Sequence, residues 1–215
     1  MLEIAVPAVA APLVRRLGRI EYAEALAAMR QFTANRTDDT PDQLWLLEHP
    51  AVYTLGLGAD PAHGPREGTG IGVVRVERGG EVTYHGPGQL VVYTLVDIAR
   101  RGIKVREYVR LLEQSLIDLL GSHGVSAARK AGAPGVYVNG AKVAALGIRI
   151  TRGRALHGLA LNVDMDLAPF GAIDPCGYPG LAVTQTRDLG ILAGIEALGD
   201  ELARRISGHL EAHHA

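Results

Sequence analysis

The 215-residue chain holds a single cysteine, Cys176, in the stretch Asp174-Pro-Cys-Gly177. A lone cysteine cannot form an internal disulfide, and by number alone it reads as a small buried hydrophobe with inert chemistry. Its neighbours argue otherwise. Pro175 fixes one backbone dihedral and Gly177 removes bulk beside the sulfur, so the thiol belongs to an accessible turn and is a candidate nucleophile. A second candidate is Lys142, at the head of the run Lys142-Val-Ala-Ala-Leu-Gly-Ile148. Strict strand alternation puts Lys142 on one face with Ala144, Leu146, Ile148 and Ile150, and Val143, Ala145 and Gly147 on the other. Both faces are apolar. The amine is therefore either a strand-end lysine reaching for water or a desolvated group acting near a reactive centre.

Two further blocks carry unusual density of glycine and polar residues. In Arg78-Gly-Gly-Glu-Val-Thr-Tyr-His-Gly-Pro-Gly-Gln89 the glycines and proline weaken strand structure, which tight turns alone or a ligand close to the backbone would explain. The Tyr84-His85 pair beside them favours a binding loop. In Leu156-His-Gly-Leu-Ala-Leu-Asn162, Gly158 and Ala160 alternate on one face and leave room for a flat or chain-like ligand. His157 itself reads as a core histidine satisfied by a backbone carbonyl. There is no G-x-x-x-x-G-K-[ST] phosphate loop and no G-x-S-x-G elbow. One cysteine and no H-E-x-x-H leave no credible zinc site, and His209, His213 and His214 read as a frayed tail.

The elements that must position these groups follow from periodicity. Leu13 to Ile20 reads as a strand, and residues 21–36 place Ala25, Leu26, Met29 and Phe32 at helical spacing. Leu44 to Glu48 is a buried strand that stops at His49-Pro50, and Ala51 to Leu55 resumes it. Residues 56–72 form a long glycine- and proline-rich loop. Strands are expected at 73–77, 81–85 and 89–98, joined across Arg78-Gly79-Gly80 and Gly86-Pro87-Gly88. Residues 105–120 form an amphipathic helix closed by Gly121 or Gly124. Asn139-Gly140 suits a type I′ hairpin between 135–138 and 142–151, and a further strand runs from Leu156 to Val163. Residues 164–190 are irregular, and 193–212 are helical. Mixed strands with a few separated helices define an α+β domain, without repeats. The whole chain, 1–215, reads as one catalytic domain, with residues 1–12 and 212–215 as loosely ordered tails.

Composition narrows the partners. The formal net charge is −1 and no basic tract exists, which argues against sequence-independent nucleic-acid binding. No run approaches about 18 uninterrupted apolar residues, so no membrane span is expected. The N-terminus has the reverse of a signal peptide's charge order. The chain reads as cytoplasmic.

The blocks RGGEVTYHGPGQL (78–90), KVAALGIRI (142–150), HGLALNV (157–163) and IDPCG (173–177), with LLEHPAVYTLG (46–56), resemble the octanoyl-[acyl-carrier-protein]:protein transferase family of lipoate biosynthesis. The resemblance implies the fold of lipoate- and biotin-protein ligases, a mixed sheet flanked by helices. It implies a Cys/Lys dyad on Cys176 and Lys142, and no cofactor or metal. It also implies an acyl pocket lined by Arg78, Gly79, Gly80, Glu81, Val82, Thr83, Tyr84 and His85, by Ala145, Leu146 and Gly147, and by Gly158, Leu159 and Ala160. The family takes octanoyl groups from acyl carrier protein to a lysine of lipoyl domains, in 2-oxoacid dehydrogenase complexes and the glycine cleavage H protein. The rival on the same fold is an ATP-dependent lipoate or biotin ligase, which would not need Cys176.

Overall fold

The structure, a computed structural model, describes residues 10–178 and 180–213, apart from the side chain of Cys176. Nine strands and three α-helices are found among these residues: β1 (Leu13–Arg19), α1 (Tyr22–Asn35), β2 (Gln43–Glu48), β3 (Val52–Leu55), β4 (Gly72–Arg75), β5 (Val82–His85), β6 (Gln89–Leu95), α2 (Val105–Ser122), β7 (Gly135–Val138), β8 (Ala141–Thr151), β9 (Arg154–Asn162) and α3 (Ile195–Ala212). Six strands form a mixed sheet in the order β1-β2-β6-β9-β8-β7, and three form a smaller sheet in the order β4-β3-β5. Among the described strands, β1–β2 and β3–β4 pair in parallel and the remaining pairs are antiparallel.

Alternation along the central strands divides the large sheet into two buried faces. Leu44, Leu46, Leu90, Val92, Leu159 and Leu161 point toward α2 and α3 and complete the main core with Leu112, Leu116, Leu119, Leu202 and Ile206. Trp45, Leu47, Val91, Tyr93, Leu95 and Ala160 point the other way and meet Tyr22, Ala25, Leu26 and Met29 of α1. The small sheet has its own apolar cluster, in which Tyr53, Leu55, Val82 and Tyr84 pack on Met165, Phe170 and Ile173. The segment before the cysteine is thus held down by Phe170 and Ile173, not left as an open loop.

Several local expectations change in three dimensions. Ala51 to Leu55 does not resume β2: after His49-Pro50 the chain leaves the large sheet, and β3 becomes the centre of the small one. The strands on either side of Arg78-Gly79-Gly80 do not pair with each other, because β3 lies between β4 and β5. Gly86-Pro87-Gly88 joins strands of different sheets. Both two-residue hairpins are as the turn chemistry requires: Asn139 and Gly140 have φ of 50° and 85°, and Arg152 and Gly153 have 51° and 77°. Gly121 lies within α2, and Gly124 (φ 78°) ends it, with the Val125 N–H donating to the Leu120 carbonyl at 3.0 Å. Arg101 donates to the Ala10 carbonyl at 2.7 Å, and His209, within α3, meets Asp118 at 2.8 Å. Residues 1–9, 214 and 215 lie outside the described residues.

Candidate functional site

Lys142 is 4% exposed, and its position results from one extra residue. In the β7–β8 ladder Val136 faces Ala144 but Tyr137 faces Lys142, so Val143 is a bulge. The bulge resets the alternation. Lys142 does not share a face with Ala144, Leu146 and Ile148, which turn to the main core. It joins Ala145 and Gly147 on the opposite face, lining a cleft between the two sheets. Its ammonium donates to the Pro134 carbonyl at 3.2 Å and lies 5.3 Å from the centre of the Tyr137 ring. Its backbone is fixed from the other side, by Lys142 N–H to Ala182 O at 2.8 Å and Thr184 N–H to Lys142 O at 3.0 Å. These bonds tie the segment following Cys176 directly to the lysine.

The backbone of Pro175–Gly177 forms a single 3-10 turn, packed on β5. The Cys176 side chain lies outside the described residues. Pro175 lines the same cleft as Lys142. Gly177 has φ of 70°, and a β-carbon there would stand 3.3 Å from the His63 ring. The loop of residues 56–72 wraps this turn: Asp174 N–H donates to His63 O at 3.2 Å, Arg66 N–H to Ala172 O at 2.9 Å, and the Arg66 guanidinium to Gly171 O at 2.6 Å. The long loop anticipated from composition is thus a clamp on the cysteine turn.

The cleft opens to solvent and has an inner cavity of about 60 Å³. Of the residues expected to line it, Arg78, Gly80, Glu81, Val82, Thr83, His85, Ala145, Leu146, Gly147, Gly158, Leu159 and Ala160 do so. Gly79 and Tyr84 stand off it. Gly79 instead donates its N–H to Ile148 O at 2.9 Å, and Tyr84 packs in the small-sheet cluster. Ala144 belongs to the core. Gly158 admits the neighbouring strand closely, since a β-carbon would fall 2.1 Å from the Val92 carbonyl oxygen.

A buried polar chain runs along one wall. Arg78 donates to the Thr54 hydroxyl at 2.8 Å and the Thr54 carbonyl at 2.7 Å. Gln89 donates to the Tyr84 carbonyl at 3.2 Å and to Asn162 Oδ1 at 3.0 Å, so its own carbonyl accepts from His85 Nδ1 at 2.7 Å. Asn162 then donates to the Thr184 carbonyl at 2.9 Å, on the segment that also pairs with Lys142. Burial pushes the His85 imidazole down to about 3, with the nearby His49 and Arg78 adding to the effect. His85 is therefore neutral, with its Nδ1 proton committed to Gln89.

The far end of the cleft is polar. His157 is 2% exposed with φ of 62°, and neither ring nitrogen has a hydrogen-bond partner among the described residues. The expectation of a carbonyl-satisfied core histidine is corrected. Burial lowers it to about 4, partly offset by Glu77. Beside it, burial raises Tyr22 to about 12 and Tyr93 well above the usual phenol range. Tyr93 donates to His49 Nε2 at 2.7 Å, the His49 Nδ1–H being given to the Ile20 carbonyl.

Sequence reasoning missed Thr54, Gln89, Asn162, His63, Pro134-Gly135 and Glu113. Gln89 and Asn162 were visible as the polar ends of otherwise apolar blocks. Glu113 was visible as an acid beside the apolar stripe of α2. His63 had no local signal. Among the described residues no group of three or more His, Cys, Asp or Glu could hold a metal ion.

A family model described as the lipoyl protein ligase A/B catalytic domain matches residues 21–207. An octanoyltransferase of Aromatoleum aromaticum is 57% identical over 190 residues, covering 88% of this chain and 82% of the relative. One of Dechloromonas aromatica is 54% identical over 200 residues, covering 93% and 97%. The chain belongs to the octanoyltransferase family. Among solved structures, lipoate-protein ligase A bound with ATP superposes with a TM-score of 0.79 at 16% identity, covering 94% of this chain and 86% of that one. That likeness shows a shared fold. Octanoyltransferases are thus built on the ligase architecture, with the mixed sheet and flanking helices anticipated from sequence.

Proposed function

We propose that this octanoyltransferase works through an S-octanoyl intermediate on Cys176, with Lys142 as the proton carrier for both half-reactions. The observation that carries the reading is the placement of Lys142. A one-residue bulge turns its amine into the cleft that Pro175 also lines, and backbone bonds join it to the segment after the cysteine.

A free cysteine is only a few per cent thiolate near neutrality, and an adjacent ammonium stabilises the anion. The thiolate attacks the carbonyl carbon of an octanoyl thioester on acyl carrier protein. The carbon–sulfur bond to the carrier breaks, and the departing thiolate takes a proton from Lys142. The acceptor lysine of a lipoyl domain then attacks the Cys176 thioester. Neutral Lys142 receives a proton from that nitrogen, the amide forms, and the Cys176 thiolate leaves, restoring the starting ion pair. Protons balance over the cycle without a nucleotide. His85 is a poor candidate for this role, since burial holds it neutral down to about pH 3.

The acyl chain lies along the floor formed by Ala145, Gly147, Gly158 and Ala160. From Lys142 to Gly147 the strand advances four regular steps and one bulged residue, about 13 Å at ~3.3 Å per step. This groove suits a medium-length chain. The acceptors are lipoyl domains, including those of 2-oxoacid dehydrogenases and the glycine cleavage H protein, and the reaction belongs to the cytoplasm, where the carrier resides.

The alternative, an ATP-dependent ligase on the same fold, is separated by one assay. Purified enzyme, octanoyl-acyl carrier protein and a lipoyl domain should give octanoylated domain without nucleotide, and Cys176→Ala should abolish it. A strict ATP requirement, or full transfer by Cys176→Ala, would overturn the proposal.

A further inference from the structure

The amine of Lys142 donates to the carbonyl of the Pro134–Gly135 peptide group at 3.2 Å. The N–H of that same peptide donates to Glu113 Oε1 of α2 at 3.1 Å. Glu113 is a carboxylate 5% exposed, on the buried side of a helix that otherwise contributes Leu112, Leu116 and Leu119 to the core. A carboxylate there is costly to bury unless its oxygens are bonded and its charge is answered. Its second oxygen accepts from Arg129 Nε at 3.0 Å, and Arg129 is itself anchored to the Arg110 carbonyl and to Gln114 Oε1.

The peptide between them is turned for this purpose. Gly135 has φ of 144°, and a β-carbon on it would sit 2.7 Å from the Ala144 carbonyl oxygen and 3.0 Å from Lys142 Cε. Only glycine supplies both the conformation and the space. This peptide opens β7, its N–H aimed at α2 and its carbonyl at Lys142. Hydrogen bonds in series polarise one another, so an anion at the N–H end increases the negative charge on the carbonyl oxygen at the other end.

We propose that Glu113 is a positioning residue for acyl transfer, acting on Lys142 through the polarised Pro134–Gly135 peptide. The carboxylate fixes the peptide's orientation and strengthens its carbonyl as an acceptor for the ammonium. Lys142 is thereby aimed into the cleft that Pro175 also lines. Arg129 answers the carboxylate's charge at its second oxygen, at 3.0 Å. Among the described residues, charged side chains near this relay include Glu113 of α2, its partner Arg129, and Lys130, whose amine is 5.9 Å from the centre of the Tyr137 ring. The inference rests on the dyad proposed above, and its test separates the two.

The test uses single-turnover acylation of the full chain by octanoyl-acyl carrier protein, followed by intact mass across a pH series. The variants are Glu113→Gln, Lys142→Ala and the double variant. Gln keeps an oxygen for the Gly135 N–H but carries no charge. Glu113→Gln should slow acylation about tenfold and move the alkaline limb of the profile toward lower pH, with the melting temperature little changed. In the Lys142→Ala background the same substitution should change the rate less than about twofold, because coupled residues are non-additive. Equal losses in both backgrounds, or a slowed rate with an unmoved profile, would make Glu113 merely structural and overturn the inference. Wild-type acylation by Lys142→Ala would instead remove the dyad itself. Thiolate absorbance supplies an independent readout, since Cys176 is the chain's only thiol. In Glu113→Gln its appearance should shift to higher pH.

Discussion

Gly177→Ala is the sharpest probe of the cysteine turn. At φ of 70° an alanine pays the left-handed penalty of an L-residue, about 1–2 kcal/mol. Its β-carbon would also stand 3.3 Å from His63 Nδ1 and Cε1, closer than ordinary van der Waals contact. His63 cannot retreat freely, since its carbonyl holds the Asp174 N–H and its loop is bonded to Ala172 and Gly171. Taking about 2 kcal/mol in all, the turn relaxes and its native form becomes roughly 30-fold rarer. The turn is a local element that can relax without unfolding either sheet, so the melting temperature should stay nearly constant. Single-turnover acylation, followed by mass spectrometry, should therefore slow roughly 30-fold while the fold persists. Adding His63→Ala removes the contact but not the dihedral strain, so it should restore only part of the rate. Wild-type acylation by Gly177→Ala would refute the reasoning, for it would mean that the thiol does not depend on this turn geometry.

Other consequences lie elsewhere in the molecule. Asp42 is a buried carboxylate bonded to Arg36, Arg100 and Arg101, and the Arg36 and Arg101 side chains are wholly buried. Asp42→Asn leaves those guanidiniums uncompensated, and denaturant unfolding should show a loss of about 3–5 kcal/mol. Hexanoyl thioester lacks two methylenes that the cleft would bury, so its kcat/KM should fall about 15-fold from octanoyl at ~0.8 kcal/mol each. Equal efficiency for the two would mean that the chain is not held in the groove. His85 and His157 are held at about 3 and about 4, below the unfolded imidazole value of roughly 6.5. Unfolding therefore takes up protons below that value, and stability, complete above about pH 6.5, should decline as pH falls toward 4. A urea midpoint unchanged between about pH 7 and 5 would contradict the buried, neutral state of both rings.

Much of this fold is written in short-range patterns. Helices α1 and α2 follow from apolar spacing, and the I′ hairpin between β7 and β8 from Asn139-Gly140, because these signals are local. Which strands pair is not local. Nothing in Val52–Leu55 reveals that it abandons the large sheet, since its four residues are buried in either arrangement. The Lys142 face was misread for a related reason: a bulge is decided by the partner strand β7, and one extra residue reverses every side chain beyond it. In the candidate site, Lys142 and the glycine-rich blocks that border the cleft, like the Pro175–Gly177 turn, stand out by residue type. The groups that hold them were not. Glu113 and Thr54 matter through contacts 16 or more residues away, and the role of His63 depends on its loop folding over Gly177.

The central claim is that the acyl group passes through Cys176, and intact mass after brief exposure to octanoyl-acyl carrier protein tests it most directly. The account predicts one octanoyl adduct on the wild-type chain, removed by hydroxylamine, discharged by a lipoyl domain at the rate of product formation, and absent from Cys176→Ala. Transfer to the lipoyl domain without any such adduct, or an adduct that persists in Cys176→Ala, would contradict it.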